Sequence, residues 1–194
     1  MKKFFTLFLI TVLAANLLAC GVYIPETTEE GRVYECDYKT LNLNTVISTM
    51  YNGEEITISG NIFWLLEDPL TVKDSQGNVI GYAGDAYGII EQDDHGIYVG
   101  DNFEVNMCGN FEMFGNSYII KDSQGNIVAN AEFDAFNTSG KITDINDNLI
   151  AVYSSGIWFN DYTVTIYNND ICSDLAILMI MASYVSDYKA DESD

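Results

Sequence analysis

The sequence predicts a mainly β domain, a barrel or sandwich of short strands, with one wholly apolar helix near its C-terminus. Three observations carry that prediction. From Thr45 onward apolar and polar residues alternate in short runs separated by Gly, Asn and Asp, the pattern of half-buried strands joined by tight turns. The hexapeptide "KDSQGN" stands at Lys73–Asn78 and again at Lys121–Asn126, each copy flanked by Val, Ile and Tyr. The stretch "DLAILMIMASYV", Asp174 to Val185, has neither alternation nor a polar face. A helix apolar all round must be enclosed by protein or by lipid.

The elements follow in chain order. Lys2 and Lys3 precede the apolar run "FFTLFLITVLAANLLA", which stops at Cys20 and Gly21. A basic start, a short apolar stretch and a small residue before the cut make residues 1–19 a secretory signal, too short for a spanning helix. "LLAC" resembles the bacterial lipobox. Leu17, Leu18 and Ala19 fill its apolar, tolerant and small positions, which implies that Cys20 receives a diacylglyceryl group and becomes the first residue of the mature chain. Membrane attachment would then run through that lipid. The expected location is the bacterial cell membrane or cell surface, outside the cytoplasm.

Of eight basic residues two lie in the signal, so the mature chain sets six against twenty-nine acidic ones, a net charge of −23. Nucleic acid and anionic lipid head groups both require Lys and Arg to neutralise phosphate, and a chain of this charge disfavours them. Cys36, Cys108 and Cys172 remain after Cys20. No C-x-x-C pair suggests zinc, and an odd number permits at most one internal disulfide. They read as small buried apolar residues, while spacing leaves a Cys108–Cys172 bridge open.

Residues 20–44, with "PETTEEG" and few apolar side chains, read as the lipidated N-terminus and an acidic tether, or over Tyr34–Leu43 as an irregular arm packed on the domain. The domain itself is expected over 45–188, with an acidic tail at 189–194. "TVISTMY", "NGEE" and "ITISGNIFW" spell a hairpin around Asn52–Gly53. "TVKDSQGNVIGYA", "IIKDSQGNIVANA" and, more loosely, "ITDINDNLIAVY" repeat one grammar of strand, Asp-led turn and strand. Gly77 and Gly125 supply the positive φ, while Asp74 and Asp122 fold back on their own backbone amides. Further strands are expected in "YGII", "GIYV", "FEVNM", "NFEMF", "GKIT", "GIWF" and "DYTVTIY". Ser173 or Asp174 can cap the helix. The unbroken apolar stretch Leu175–Ala182 is far shorter than the roughly 20 residues a bilayer span needs. A barrel plugged by that helix is the expected arrangement.

The order of a "D-x-x-G-N" turn, a second copy, a degenerate third, then "WFNDYTVTIYNND" leading into an apolar helix ended by "SYVSD", resembles the tubby C-terminal-like superfamily, and within it the LURP-one-related and scramblase-like proteins. The likeness covers Thr45 to about Asp187. It implies a closed antiparallel barrel of roughly twelve strands around a buried hydrophobic C-terminal helix. Tubby-type domains also imply phosphoinositide binding through basic side chains, but the mature chain offers only Arg32, Lys39, Lys73, Lys121, Lys141 and Lys189, too dispersed to converge on a phosphate. Scramblases imply calcium and lipid, the alternative reading of the chain.

Calcium requires six to eight oxygens. "KDSQGN" supplies one carboxylate per copy. Asp144, Asn146 and Asn148 have the alternating start of a calcium loop, but Leu149 and Ser155 stand where its Gly and closing Glu belong. "EQDDHG", with Asp93, and "NND", with Asp170, are the other acidic turns. Solvated turns are the expectation for all of them, and no cofactor is expected. His95, the single histidine, lies between Asp94 and Gly96 in what reads as an exposed turn, and no "G-x-S-x-G" elbow accompanies it. No carboxylate pair sits in a distinctive apolar frame, and a small hydrolase using acidic residues is kept only as a third alternative. Phe63, Trp64, Trp158 and Phe159 could form a sugar platform but read as wall aromatics. The expectation is a non-enzymatic binding or scaffold protein of the cell envelope, with an unidentified envelope protein as partner.

Overall fold

The computed structural model describes residues 24, 30–41, 44–61, 70–84, 94–112, 115–134, 138–155 and 161–191. Twelve strands form one closed antiparallel barrel: β1 (Arg32–Leu41), β2 (Asn44–Tyr51), β3 (Glu54–Asn61), β4 (Leu70–Lys73), β5 (Val79–Gly84), β6 (Asp94–Val99), β7 (Asn102–Glu112), β8 (Gly115–Lys121), β9 (Ile127–Phe133), β10 (Ser139–Asp144), β11 (Leu149–Ser155) and β12 (Asp161–Ile166). Each strand pairs with its sequence neighbour, and β1 closes the ring on β12 with Arg32 opposite Ile166. Among the described residues one helix, α1 (Asp174–Asp191), follows the strands. The expected fold is thus the observed one, and closure leaves no strand edge exposed.

The pleat explains the burial. Ile47, Ile58, Val72, Ala83, Ile97, Val105, Met107, Ile120, Ala131, Ile142 and Val164 point inward and are sealed from solvent. Alternating with them on the outside stand Glu35, Asp37, Lys39, Ser48, Glu55, Thr57, Asn130, Glu132, Lys141 and Thr163. A barrel in lipid carries an apolar band outside and polar groups inside. This wall has the reverse polarity and faces water. From Leu175 to Val185 every side chain of α1 is buried, so the apolar helix is the plug of the barrel.

Two features let the helix fit. Gly81 lines the barrel where a Cβ would stand 2.8 Å from the Tyr98 carbonyl oxygen and 3.2 Å from Met179 Sδ, so only glycine admits α1 at that approach. Farther along α1, the Tyr184 ring stacks on Phe133 at 3.6 Å between centroids, with Tyr118 and Tyr153 meeting it edge-on at 6.1 and 6.3 Å. Such pairs contribute about 0.5–1.5 kcal/mol each beyond the area they bury.

Four expectations are corrected. The acidic tether assigned to 20–44 does not extend through Arg32–Leu41. That segment is β1, because Tyr34, Cys36 and Tyr38 turn inward while Val33, Glu35, Asp37 and Lys39 turn out. "FEVNM" and the first three residues of "NFEMF" belong to one strand, β7, since Gly109 continues the pairing opposite Tyr118; the last two residues of "NFEMF" lie outside the described residues. His95 lies not in a turn but in β6, opposite Met107. α1 runs to Asp191, into the stretch assigned to the acidic tail. The proposed strands "YGII" and "GIWF", and Phe63, Trp64, Trp158 and Phe159, lie outside the described residues.

Candidate functional site

The antiparallel order collects the tight turns, the start of β1 and the entry of α1 at one rim of the barrel. The turn at Asn52–Gly53 has φ of 52° and 82°, the left-handed pair of a two-residue hairpin. The two "KDSQGN" turns are superimposable in their bonding. Asp74 Oδ1 accepts the amides of Gln76 and Asn78 at 2.9 and 2.8 Å, and its Oδ2 accepts Asn78 Nδ2 at 2.9 Å. Asp122 does the same with Gln124 and Asn126. Gly77 and Gly125 hold φ of 84° and 82°. The degenerate copy is the same object: Asp144 accepts Asn146 and Asn148, and Asp147 takes the left-handed place at φ 63°. Each hairpin then carries a bulge, which leaves Ile80, Val128 and Ile150 without a directly opposed residue.

At Asp144, Asn146 and Asn148, the candidates with the alternating start of a calcium loop, the structure shows a self-bonded turn. Both carboxylate oxygens are engaged by the turn itself, and the asparagine bonds hold Asp74, Asp122 and Asp144 below the usual carboxylate range. Asp170 is exposed beyond β12, its amide on Asn168 Oδ1 at 3.4 Å. Asp93 and the lipid acceptor Cys20 lie outside the described residues. Among the described residues no three His, Cys, Asp or Glu side chains gather as for a metal ion.

A latch at the mouth closes this rim around α1. Arg32, the only arginine of the sequence, donates through Nε and Nη2 to Asp174 at 2.6 and 2.8 Å, and the Tyr34 hydroxyl donates to the same carboxylate at 2.7 Å. Burial pushes the Asp174 carboxyl up, but the bonds from Arg32 and Tyr34 outweigh it and hold it below its ordinary value. Burial and the same carboxylate push the Tyr34 hydroxyl up to about 12. Ser173 caps the helix, with Oγ accepting the Ala176 amide at 3.3 Å, while its own amide donates to Glu104 Oε2 at 2.7 Å. Glu104 can reach across because a bulge opposite Ile97 and Tyr98 makes it the extra residue of β7. Asp174, in the first turn, also complements the helix dipole.

Toward the other rim, the buried Asp134 accepts the Thr138 amide and hydroxyl at 2.9 and 2.6 Å and the Ser139 hydroxyl at 2.7 Å. Its carbonyl accepts the Tyr184 hydroxyl at 3.4 Å, which ties the helix to the barrel a second time. Cys36, Cys108 and Cys172 are buried thiols outside any disulfide, so the Cys108–Cys172 bridge left open by spacing is not formed. Burial pushes the Cys36 thiol up to about 11 and the Cys172 thiol up to about 12, the latter also beside Glu104 and Asp174. Neither is the thiolate that reactive chemistry needs.

On the outer wall, Tyr82, Tyr98 and Phe103 form a strip across β5, β6 and β7. The tyrosine rings stack at 4.4 Å, and Phe103 meets Tyr98 at 5.4 Å with planes 77° apart. Sequence reasoning missed both this strip and the latch. The uniqueness of Arg32 was the one available signal for the latch, and the strip had none, because its members meet only through strand pairing. No protein-family model, curated protein or solved structure matches the chain.

Proposed function

We propose that the protein is an extracytoplasmic bacterial lipoprotein, anchored in the membrane through a diacylglyceryl group on Cys20, whose barrel serves as a non-enzymatic binding or scaffold module of the cell envelope. The observation that carries the barrel half of this reading is the filled interior: α1 occupies the space that a ligand-binding barrel leaves for its ligand. Contact with partners therefore falls to the outside of the barrel. The anchor half rests on the residue order of 1–21. Kinship with the tubby C-terminal-like superfamily belongs to the same proposal. It is supported by twelve strands around an enclosed helix and by the three Asp-led turns in order.

Metabolic labelling with a radioactive fatty acid tests the anchor. Label and membrane fractionation should both be present in the native chain and absent from Cys20→Ser; a labelled Cys20→Ser protein would sink the assignment. Melting with millimolar calcium, against magnesium as the charge control, tests the scramblase-like alternative. A ligand at a hundred times its Kd stabilises by about 2.7 kcal/mol. The committed carboxylates of the turns predict no calcium-specific rise, and such a rise would favour the ion-responsive reading.

A further inference from the structure

Among the described residues, the large apolar side chains that stand in solvent are gathered at one end of the barrel. They are Val33, Met50, Val79, Ile127 and Ile145, each between 48% and 64% exposed. Val33 is the second residue of β1, Met50 is next to last in β2, Val79 and Ile127 open β5 and β9, and Ile145 lies in the turn from β10 to β11. In a ring of strands running alternately up and down, all five places fall at the rim that holds the tight turns and the entry of α1. Single apolar side chains on a surface are ordinary. Their confinement to one rim, with none along the described wall, is not. The chain also enters the barrel at this rim. β1 starts there at Arg32, and from Cys20 to Gly31 even a fully extended chain reaches only about 40 Å. A lipid on Cys20 therefore holds the membrane surface within that reach of the five side chains.

We propose that this rim rests on the membrane that holds the Cys20 lipid, with Val33, Met50, Val79, Ile127 and Ile145 seated among the head groups of zwitterionic lipid. The proposal rests on the lipoprotein reading and adds an orientation to it. Two observations favour a bilayer over a protein partner. The apolar side chains are spread around the ring, on β1, β2, β5, β9 and the turn before β11, and not gathered in one groove. A flat, fluid surface meets such points together, whereas a protein groove meets one sector of them. The second observation is the place where the tether ends. Tethering makes docking an intramolecular event at high effective concentration, so side chains too few to hold a free barrel suffice for an anchored one. Charge selects the lipid class. At this rim Arg32, Lys73 and Lys121 are outnumbered by Glu54, Asp74, Asp101, Asp122, Asp144 and Asp147, so anionic lipid repels it. The contact is apolar and weakens as anionic lipid is added.

The lipidated full chain in phosphatidylcholine vesicles tests it, with nitroxide-bearing lipid as the quencher of a fluorophore on one introduced cysteine. Cys36, Cys108 and Cys172 are buried, so the label goes to the new thiol. Met50→Cys and Ile127→Cys put the label at the rim, and Glu132→Cys puts it about 15 Å farther along the strand that Ile127 opens. Quenching should be several-fold stronger at both rim positions than at Glu132, and added phosphatidylglycerol should reduce it at low salt, where charge is least screened. Val79→Asp with Ile145→Asp should abolish quenching at the rim labels, while the chain still floats with the vesicles and melts as the native protein does. Equal quenching at rim and wall, or none at the rim of a chain that floats, would overturn the proposal and leave the lipid anchor standing. A native chain that does not float would remove the anchor and the proposal with it.

Discussion

Tyr184→Ala probes whether α1 holds the barrel together from inside. The ring is fully buried, stacked on Phe133 at 3.6 Å and flanked edge-on by Tyr118 and Tyr153. Truncating a buried aromatic of this size costs about 3–5 kcal/mol through lost transfer energy and the cavity left behind. The three ring contacts place this site toward the upper end. Single domains have only about 5–15 kcal/mol in total. For a domain of this length each kcal/mol moves Tm by about 2–4 °C, so Tyr184→Ala should melt about 6–20 °C below the native protein. Tyr184→Phe isolates the hydroxyl. Its bond to the Asp134 carbonyl is long, 3.4 Å, and its loss should cost under about 1 kcal/mol. Thermal and urea unfolding followed by circular dichroism measure both. A loss of under about 1 kcal/mol for Tyr184→Ala would refute the enclosed helix.

The remaining predictions concern the latch, the wall and the turns. The Asp174 carboxyl is held below its unfolded value of about 3.9, so its stabilisation is complete above that pH and is lost as pH falls through the lower folded value. Asp174→Asn should therefore lower Tm at neutral pH and flatten the decline below pH about 4; an unchanged acid limb would count against the latch. Arg32→Ala should cost about 1–2 kcal/mol, kept modest because the arginine side chain is 47% exposed. Gly81→Ala should destabilise by about 1–3 kcal/mol, since the added methyl meets the backbone oxygen of Tyr98, which cannot swing aside. Asp122→Ala should lower Tm by more than Asp122→Asn, because the amide oxygen of asparagine can still accept the amides of Gln124 and Asn126.

What was legible from sequence was local. An Asp-led turn closes within five residues, so Asp74, Asp122 and Asp144 announced their hairpins, and an unbroken apolar run announced an enclosed helix. β1 was harder to read because its inward side is Tyr34, Cys36 and Tyr38, residues of middling hydropathy, while its outward side is acidic enough to resemble a tether. β7 was split at Gly109, a residue that usually weakens a strand and here continues the ladder opposite Tyr118. The latch joins Arg32 to Asp174 and the outer strip spans three strands, so both exist only once the ring has formed. No local spacing encodes them.

The closure of that ring sets the order in which the molecule can be made. The first strand must find the last, with Arg32 beside Ile166, and the helix to be enclosed comes after all twelve strands. Neither the seam nor its contents can form until β12 and α1 have been synthesised. A growing chain can assemble hairpins at Asn52–Gly53 and at the Asp-led turns within microseconds, yet it stays an open sheet with its apolar face uncovered. Folding is then a late, long-range event, slow by the measure of contact order. A chain cut short before Asp174 would lack the latch and the whole of the plug, and its incomplete forms are those a cell must keep from aggregating.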